Sequence, residues 1–164
     1  MSRLDSAIRR LKAQRACLGH AVALVAGMPG PVLELGLGNG RTFDHLRELA
    51  PEREIFVFDR QLAAHPDCVP DEAHFFQGDF LDTLPTAATR IGRPAALVHC
   101  DIGSGDRAAT AALAAALAPL LLPLLAPAAV ILADQPLDVP GATELPPPDG
   151  VKAGRYYLYR ARAG

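Results

Sequence analysis

Cysteine is the first thing this sequence is short of. It has three in 164 residues, Cys17, Cys68 and Cys100, far apart and with no C-x-x-C spacing. That argues against a disulfide framework or a zinc site and suits a reducing cytoplasm. Net charge is also scarce. Sixteen Lys and Arg against eighteen Asp and Glu leave −2, too little to call for a nucleic acid or a membrane surface. The ends lean basic (Arg3, Arg9, Arg10, Lys12 and Arg15, then Lys152, Arg155, Arg160 and Arg162). A solvated helix face and a charged last strand account for that. The opening MSRLDSAIRRLKAQRACLGH lacks the uninterrupted apolar core of a signal peptide. One stretch, Ala112 to Ala133, lacks charge altogether and is nominally long enough to span a bilayer. Its prolines, Pro119, Pro123 and Pro127, each remove a backbone donor and clash with the preceding turn. The stretch therefore reads as a buried helix ending near Pro123 to Pro127, then a strand AAVILAD. Internal repeats are absent too.

What the sequence does have is alternation of strands and helices. Leu4, Ile8, Leu11, Leu18, Val22 and Val25 set a helical stripe over residues 1–28. Apolar runs then mark strands at VLELG, EIFVFDR, AHFFQGD, AALVHCDIG and AVILAD. Helices are expected from Arg41 to about Leu49, from Phe80 to about Ile91 with an interruption at Pro85, and from about Asp106. Nearly solid apolar strands between helices imply one α/β domain over residues 1–164: a doubly wound, mostly parallel sheet with helices on both faces. The C-terminal region is short. After Asp134 come only ATELPPP and GRYYLYRAR, two extended segments, so the last helix is expected to be missing and the sheet trimmed.

In such sheets ligands sit beyond the carboxyl ends of the strands, at the point where strand order reverses. After the first strand comes ELGLGNG: Glu34, Gly36, Leu37, Gly38, Asn39 and Gly40, with Thr42 opening the helix. Dinucleotide sites use G-x-G-x-x-G, with a pyrophosphate on the helix N-terminus. Here the spacing differs, and an acid two residues before the first glycine would repel a pyrophosphate and suit a cation. S-adenosylmethionine, with its sulfonium and ammonium, is such a cation. Asp59, followed by Arg60, ends the second strand, nineteen residues past Gly40; one carboxylate there can accept from both ribose hydroxyls. Gly78, Asp79 and Phe80 follow the third strand. Asp79 suits an adenine amine, or simply the N-cap of the next helix, and Phe80 suits the ring face. Asp101, Ile102 and Gly103 follow the fourth, and Asp134 ends the fifth.

Together these residues resemble the class I, Rossmann-like S-adenosylmethionine-dependent methyltransferases. ELGLGNG is similar to that superfamily's first motif, Asp59 to its second-strand acid, GDF to its adenine contact and VHCDIG to its fourth-strand motif. The likeness covers about Val32 to Asp134. ELGLGNGRTFDHLRE with RYYLYR is closer still to a small group of bacterial methyltransferase-like proteins. The resemblance implies that Glu34, Gly36, Gly38 and Gly40 hold the amino-acid end of the cofactor, Asp59 the ribose, and Asp79 with Phe80 the adenine. S-adenosyl-L-homocysteine would be the product. No N-P-P-Y amine motif is present, so the acceptor is unidentified, and the size of the chain favours a small molecule. The candidates for a general base are Asp101 and His20; His99 reads as a core histidine. Asp101 with Asp134 is a thin ligand set for magnesium, so no metal is expected. Tyr156, Tyr157 and Tyr159 fall in the last strand; Tyr157 and Tyr159 share one face, which suits sheet packing more than the lining of an acceptor pocket. The competing functions are a nicotinamide-dependent oxidoreductase and a non-catalytic S-adenosylmethionine-binding protein. RNA methylation would need the basic ends to meet beside the pocket. The stripe of the first helix and the tail strand suggest a homodimer.

Overall fold

The computed structural model describes residues 2–164. Five parallel strands form its centre: β1 (Val32–Leu35), β2 (Ile55–Asp59), β3 (Phe75–Gln77), β4 (Ala95–Cys100) and β5 (Leu125–Ala133). The tail adds β6 (Thr143–Leu145) and β7 (Tyr157–Arg160). The sheet order is β3-β2-β1-β4-β5-β7-β6, with β7 antiparallel to both its neighbours. The sheet is thus not trimmed: both tail segments pair, and all seven strands are present. The helical cover is what is shortened, since among the described residues no helix follows β5.

The helices are α1 (Arg3–Leu24), α2 (Arg41–Leu49), α3 (Phe80–Ile91) and α4 (Arg107–Leu121). Successive strand residues point to opposite faces. Leu33, Leu35, Val98 and Ile131 therefore meet Leu84, Leu117 and Leu121 of α3 and α4. Val32, Val57, Leu97 and Leu132 meet Cys17, Leu18 and Leu46 of α1 and α2. Helix α3 runs through Pro85 without the expected break, forgoing only the bond its N–H would have made to the Leu81 carbonyl. Helix α4 contains Pro119 and ends at Leu121; a 3-10 turn, Leu122–Leu124, takes Pro123. Strand β5 then starts earlier than the sequence suggests. Pro127 lies where its register slips between Ala95↔Leu125 and Leu97↔Val130, beside Ala128 at φ 62°, the irregular position in which a sheet tolerates proline. The run Arg107–Leu124 is apolar enough to cross a membrane by composition, yet Ala114, Leu117, Ala118 and Leu121 are buried in the core.

Helix α1 departs from its expected stripe. Leu4, Ile8 and Leu11 are exposed, and the buried row is Ala13, Gln14, Cys17, Leu18 and Ala21. The helix rests on the sheet through small side chains, which let a backbone approach closely, and its first turns are free of the sheet. Leu4→Ser is expected to change the unfolding free energy of the monomer by less than about 0.5 kcal/mol. Ala21→Leu, at a position with no exposure, should overpack the interface and cost about 1–3 kcal/mol in chemical denaturation.

Candidate functional site

Strand order reverses between β1 and β4, and the chain after each strand builds the site. The three glycines after β1 do different jobs. Gly36 has φ +94°, and a Cβ there would lie inside van der Waals contact of the Asp101 carbonyl oxygen. Gly40 is likewise crowded by Cys68. Gly38 (φ +52°) alone faces open space, with nothing within 4 Å of an added Cβ. Two of the glycines therefore serve the protein's own packing, and one leaves bare backbone for something else. Gly36→Ala should lower stability by about 2 kcal/mol through strain and the clash, read as a fall in Tm.

Asp59 ties this turn to β2. Its Oδ2 accepts from the backbone N–H of Leu37 (2.8 Å) and Gly38 (3.1 Å), and its Oδ1 from that of Gln61 (3.1 Å). Over the turn lies a groove of about 460 Å³. Eight sequence-predicted residues line it: Gly36, Leu37, Gly38, Asn39, Thr42, Asp59, Asp101 and Gly103. Helix α1 contributes Arg10, Leu11 and Gln14, and α2 contributes Arg41. Gln14 Nε2 donates to Asp101 Oδ2 at 2.9 Å.

Other expected residues fall elsewhere. Glu34 has no exposure and does not reach the groove. Its carboxylate accepts from the Thr42 hydroxyl and pairs with His99 Nδ1 at 2.6 Å. Glu34 is thus set against Thr42 and His99 instead of a ligand's amino-acid end, and the half-buried carboxylates that line the groove are those of Asp59 and Asp101. His99 is a core residue, though not a lone one. Burial alone would lower its pKa, but the charge of Glu34 and its hydrogen bond outweigh this and raise it. Asp79 caps α3 by accepting from Leu81 N–H at 2.9 Å and pairs with Arg60 at 2.5 Å; these contacts hold its carboxyl below the usual range. Phe80 packs half-buried against the core, and Gly78 N–H donates to the Asp59 carbonyl at 3.0 Å. His20 lines neither this groove nor the cavity beside it. It is six residues beyond Gln14, about 9 Å farther along the helix axis, toward the opposite end of the sheet.

That neighbouring cavity, about 760 Å³, shares Arg10, Asp101 and Gly103 with the groove. Asp134 lies in it. Its Oδ1 accepts from Ile102 N–H (3.1 Å), its Oδ2 from Gly103 N–H (2.8 Å) and Gln135 Nε2 (3.2 Å). Burial, with the nearby charge of Asp101, raises its pKa against those bonds. Tyr156 and Tyr157 line this cavity, whereas Tyr159 packs in the core and accepts from Leu137 N–H at 3.0 Å. Sequence reasoning missed Gln14, Arg107 and Gln135. Only Gln14 had a local signal, a polar side chain in a row of small buried residues. A further cavity of about 440 Å³, lined by Phe43, Arg47, Ile55 and His74, lies at the start of β2, away from the strand carboxyl ends.

A doubly wound sheet with an antiparallel β7, a glycine turn after β1 and an acid closing β2 defines the class I S-adenosylmethionine-dependent methyltransferases. The chain belongs to the S-adenosyl-L-methionine methyltransferase family, whose model matches residues 1–161. It is similar, at 46% identity over 98% of both chains and a TM-score of 0.91, to an S-adenosyl-L-methionine methyl transferase from Silicibacter pomeroyi DSS-3. It shares its fold with TrmN from Thermus thermophilus (17% identity, TM-score 0.57, 88% of this chain and 48% of that one). The same holds for the plantazolicin methyltransferase BpumL in complex with SAH (16% identity, TM-score 0.53, 76% and 46%). No curated protein matches the sequence. The protein is a methyltransferase and its cofactor is S-adenosylmethionine.

Proposed function

We propose that the groove over the glycine turn holds S-adenosylmethionine and that the adjoining cavity holds a small-molecule methyl acceptor. The observation that carries this is their junction: the two spaces meet at Arg10, Asp101 and Gly103. The residues fit the cofactor. Gly38 leaves backbone uncovered, Asp59 presents a carboxylate for ribose hydroxyls, and Asp101 supplies the negative charge a sulfonium and ammonium require. Asp79 and Phe80 are assigned to the adenine end. When bound, the cofactor supplies a methyl carbon activated by a positive sulfur.

The chain's own contribution is alignment, exclusion of water and removal of a proton. Gln14 from α1 fixes Asp101 through Oδ2. Among the described residues Oδ1 has no hydrogen bond, and it is assigned to take the proton that the acceptor's hydroxyl or amine loses, passing it on to solvent. Thermal shift and calorimetry test the assignment: S-adenosylhomocysteine should bind and stabilise, and NAD should do neither. Stabilisation by NAD alone would overturn it. Two further assignments complete the reading. Free cysteines suit the cytoplasm, and the exposed pair Leu4 and Ile8 is assigned to a second copy of the chain, so that Leu4→Ser with Ile8→Ser should shift sedimentation toward monomer.

A further inference from the structure

The acceptor cavity has an uneven balance of used and unused groups. Both of its acids hold neutral donors, Asp101 through Oδ2 to Gln14 and Asp134 through both oxygens to Ile102 N–H, Gly103 N–H and Gln135, which leaves Asp101 Oδ1 open. It also has three cations. Arg10 comes from α1, Arg107 from the first turn of α4 and Arg155 from the segment between β6 and β7. None of the three guanidinium groups has a carboxylate or hydrogen-bond partner among the described residues. Formal charge over the lining is three positive against two negative, and a bound cationic cofactor makes the space more positive still.

Tyr156 adds an independent observation. It is 4% exposed, and its ring lies in the core beside His99 at a centroid distance of 6.5 Å. Its hydroxyl has no hydrogen-bond partner among the described residues, and it is not among the atoms sealed from solvent. A buried tyrosine normally finds a partner for its O–H; here the cavity is the space left for one. Burial, with the charges of Asp101 and Asp134, keeps it a protonated donor, because both push its pKa up.

We infer that the acceptor is a small anion, bearing a carboxylate or phosphate group that Arg107 and Arg155 grip while Tyr156 donates a hydrogen bond and the nucleophile points toward Asp101. Guanidinium groups are suited to this because their planar forks bind either oxyanion through two parallel bonds. The inference rests on the assignment of the two cavities above, and it deepens that assignment by giving the acceptor a charge. Arg10 borders both spaces, so the discriminating residues are Arg107 and Arg155, which line the acceptor cavity alone.

The test has two stages. The full chain is first titrated with S-adenosylhomocysteine. It is then titrated, in the presence and absence of that ligand, with sodium phosphate, sodium succinate and tetramethylammonium chloride at constant ionic strength. Phosphate or succinate should bind saturably and tetramethylammonium should not. Arg107→Ala with Arg155→Ala should weaken anion binding at least tenfold, and Tyr156→Phe should weaken it severalfold. S-adenosylhomocysteine affinity should stay within twofold in every variant, which also reports that each remains folded. Anion binding that is absent, or equal in wild type and the double variant, overturns the inference. So does tighter binding of a single-stranded oligonucleotide than of phosphate, since that would give the arginines to a nucleic-acid backbone. Failure of the first stage overturns the cofactor assignment instead, and the anion titration of the ligand-free protein is still read on its own.

Discussion

Asp59→Ala should weaken S-adenosylhomocysteine binding about 100-fold, a loss near 3 kcal/mol. Two effects combine in one carboxylate. Its Oδ2 fixes the backbone N–H groups of Leu37 and Gly38, so the turn is organised before any ligand arrives. The remaining lone pairs are those that a ribose diol would use, and hydrogen bonds to a charged acceptor are worth about 1.5–3 kcal/mol each. Asp59→Asn separates the two effects. The amide oxygen can still take the N–H groups of Leu37 and Gly38, so the turn is kept, but the second acceptor oxygen and the full charge are lost; an intermediate weakening of about tenfold is expected. Calorimetry reads both. Unchanged affinity in Asp59→Ala would remove the ribose assignment, and with it the reason for placing the cofactor in this groove.

The residues legible in the sequence were those whose position follows from a single element. Asp59 could be placed because a strand's apolar run ends on it, and the glycine turn because it lies between a buried strand and a helix start. The alternation of strands and helices gave the parallel sheet for the same reason. Asp79 was read either as an adenine contact or as an N-cap, and the structure shows the cap. What stayed hidden depends on elements far apart in the chain. Gln14 and Asp101 are 87 residues apart, and no local pattern says that α1 crosses the carboxyl end of β4. The stripe of α1 misled because hydrophobicity and burial diverge there: Ala13, Cys17 and Ala21 are buried for their small size, while Leu4 and Ile8 extend past the sheet. The tail looked too short for a complete sheet because strands of three and four residues with prolines around them carry little periodic signal. The cavity beside the groove was least legible, since α1, the β4 end, α4, the β5 end and the β6–β7 segment all contribute to it.

Glu34 was legible as an acid in an apolar strand, yet its partner was not, because pairing needs the sheet order. Strands β1 and β4 set Glu34 directly opposite His99, and both side chains are fully buried. Removing one member of a buried ion pair leaves the other charge uncompensated, so Glu34→Ala should cost about 3–5 kcal/mol, with loss of the Thr42 bond that anchors the start of α2. Glu34→Gln gives a sharper test through pH. Burial works to lower the His99 pKa, but attraction to Glu34, reinforced by Asp101 and Asp134, raises it, even though Nε2 has no partner among the described residues. A histidine pKa raised on folding adds stability that is complete below its unfolded value near 6.5 and is lost as pH rises through the folded value. In Glu34→Gln the main attraction is gone and burial dominates, so His99 should become harder to protonate in the folded state and destabilise it as pH falls below about 6.5. The stability difference between wild type and variant is therefore largest in mildly acidic solution and shrinks above neutrality. Denaturation series from pH 5.5 to 8.5 measure it, and a difference independent of pH would show that His99 is neutral in the folded protein and that the pair is an ordinary hydrogen bond.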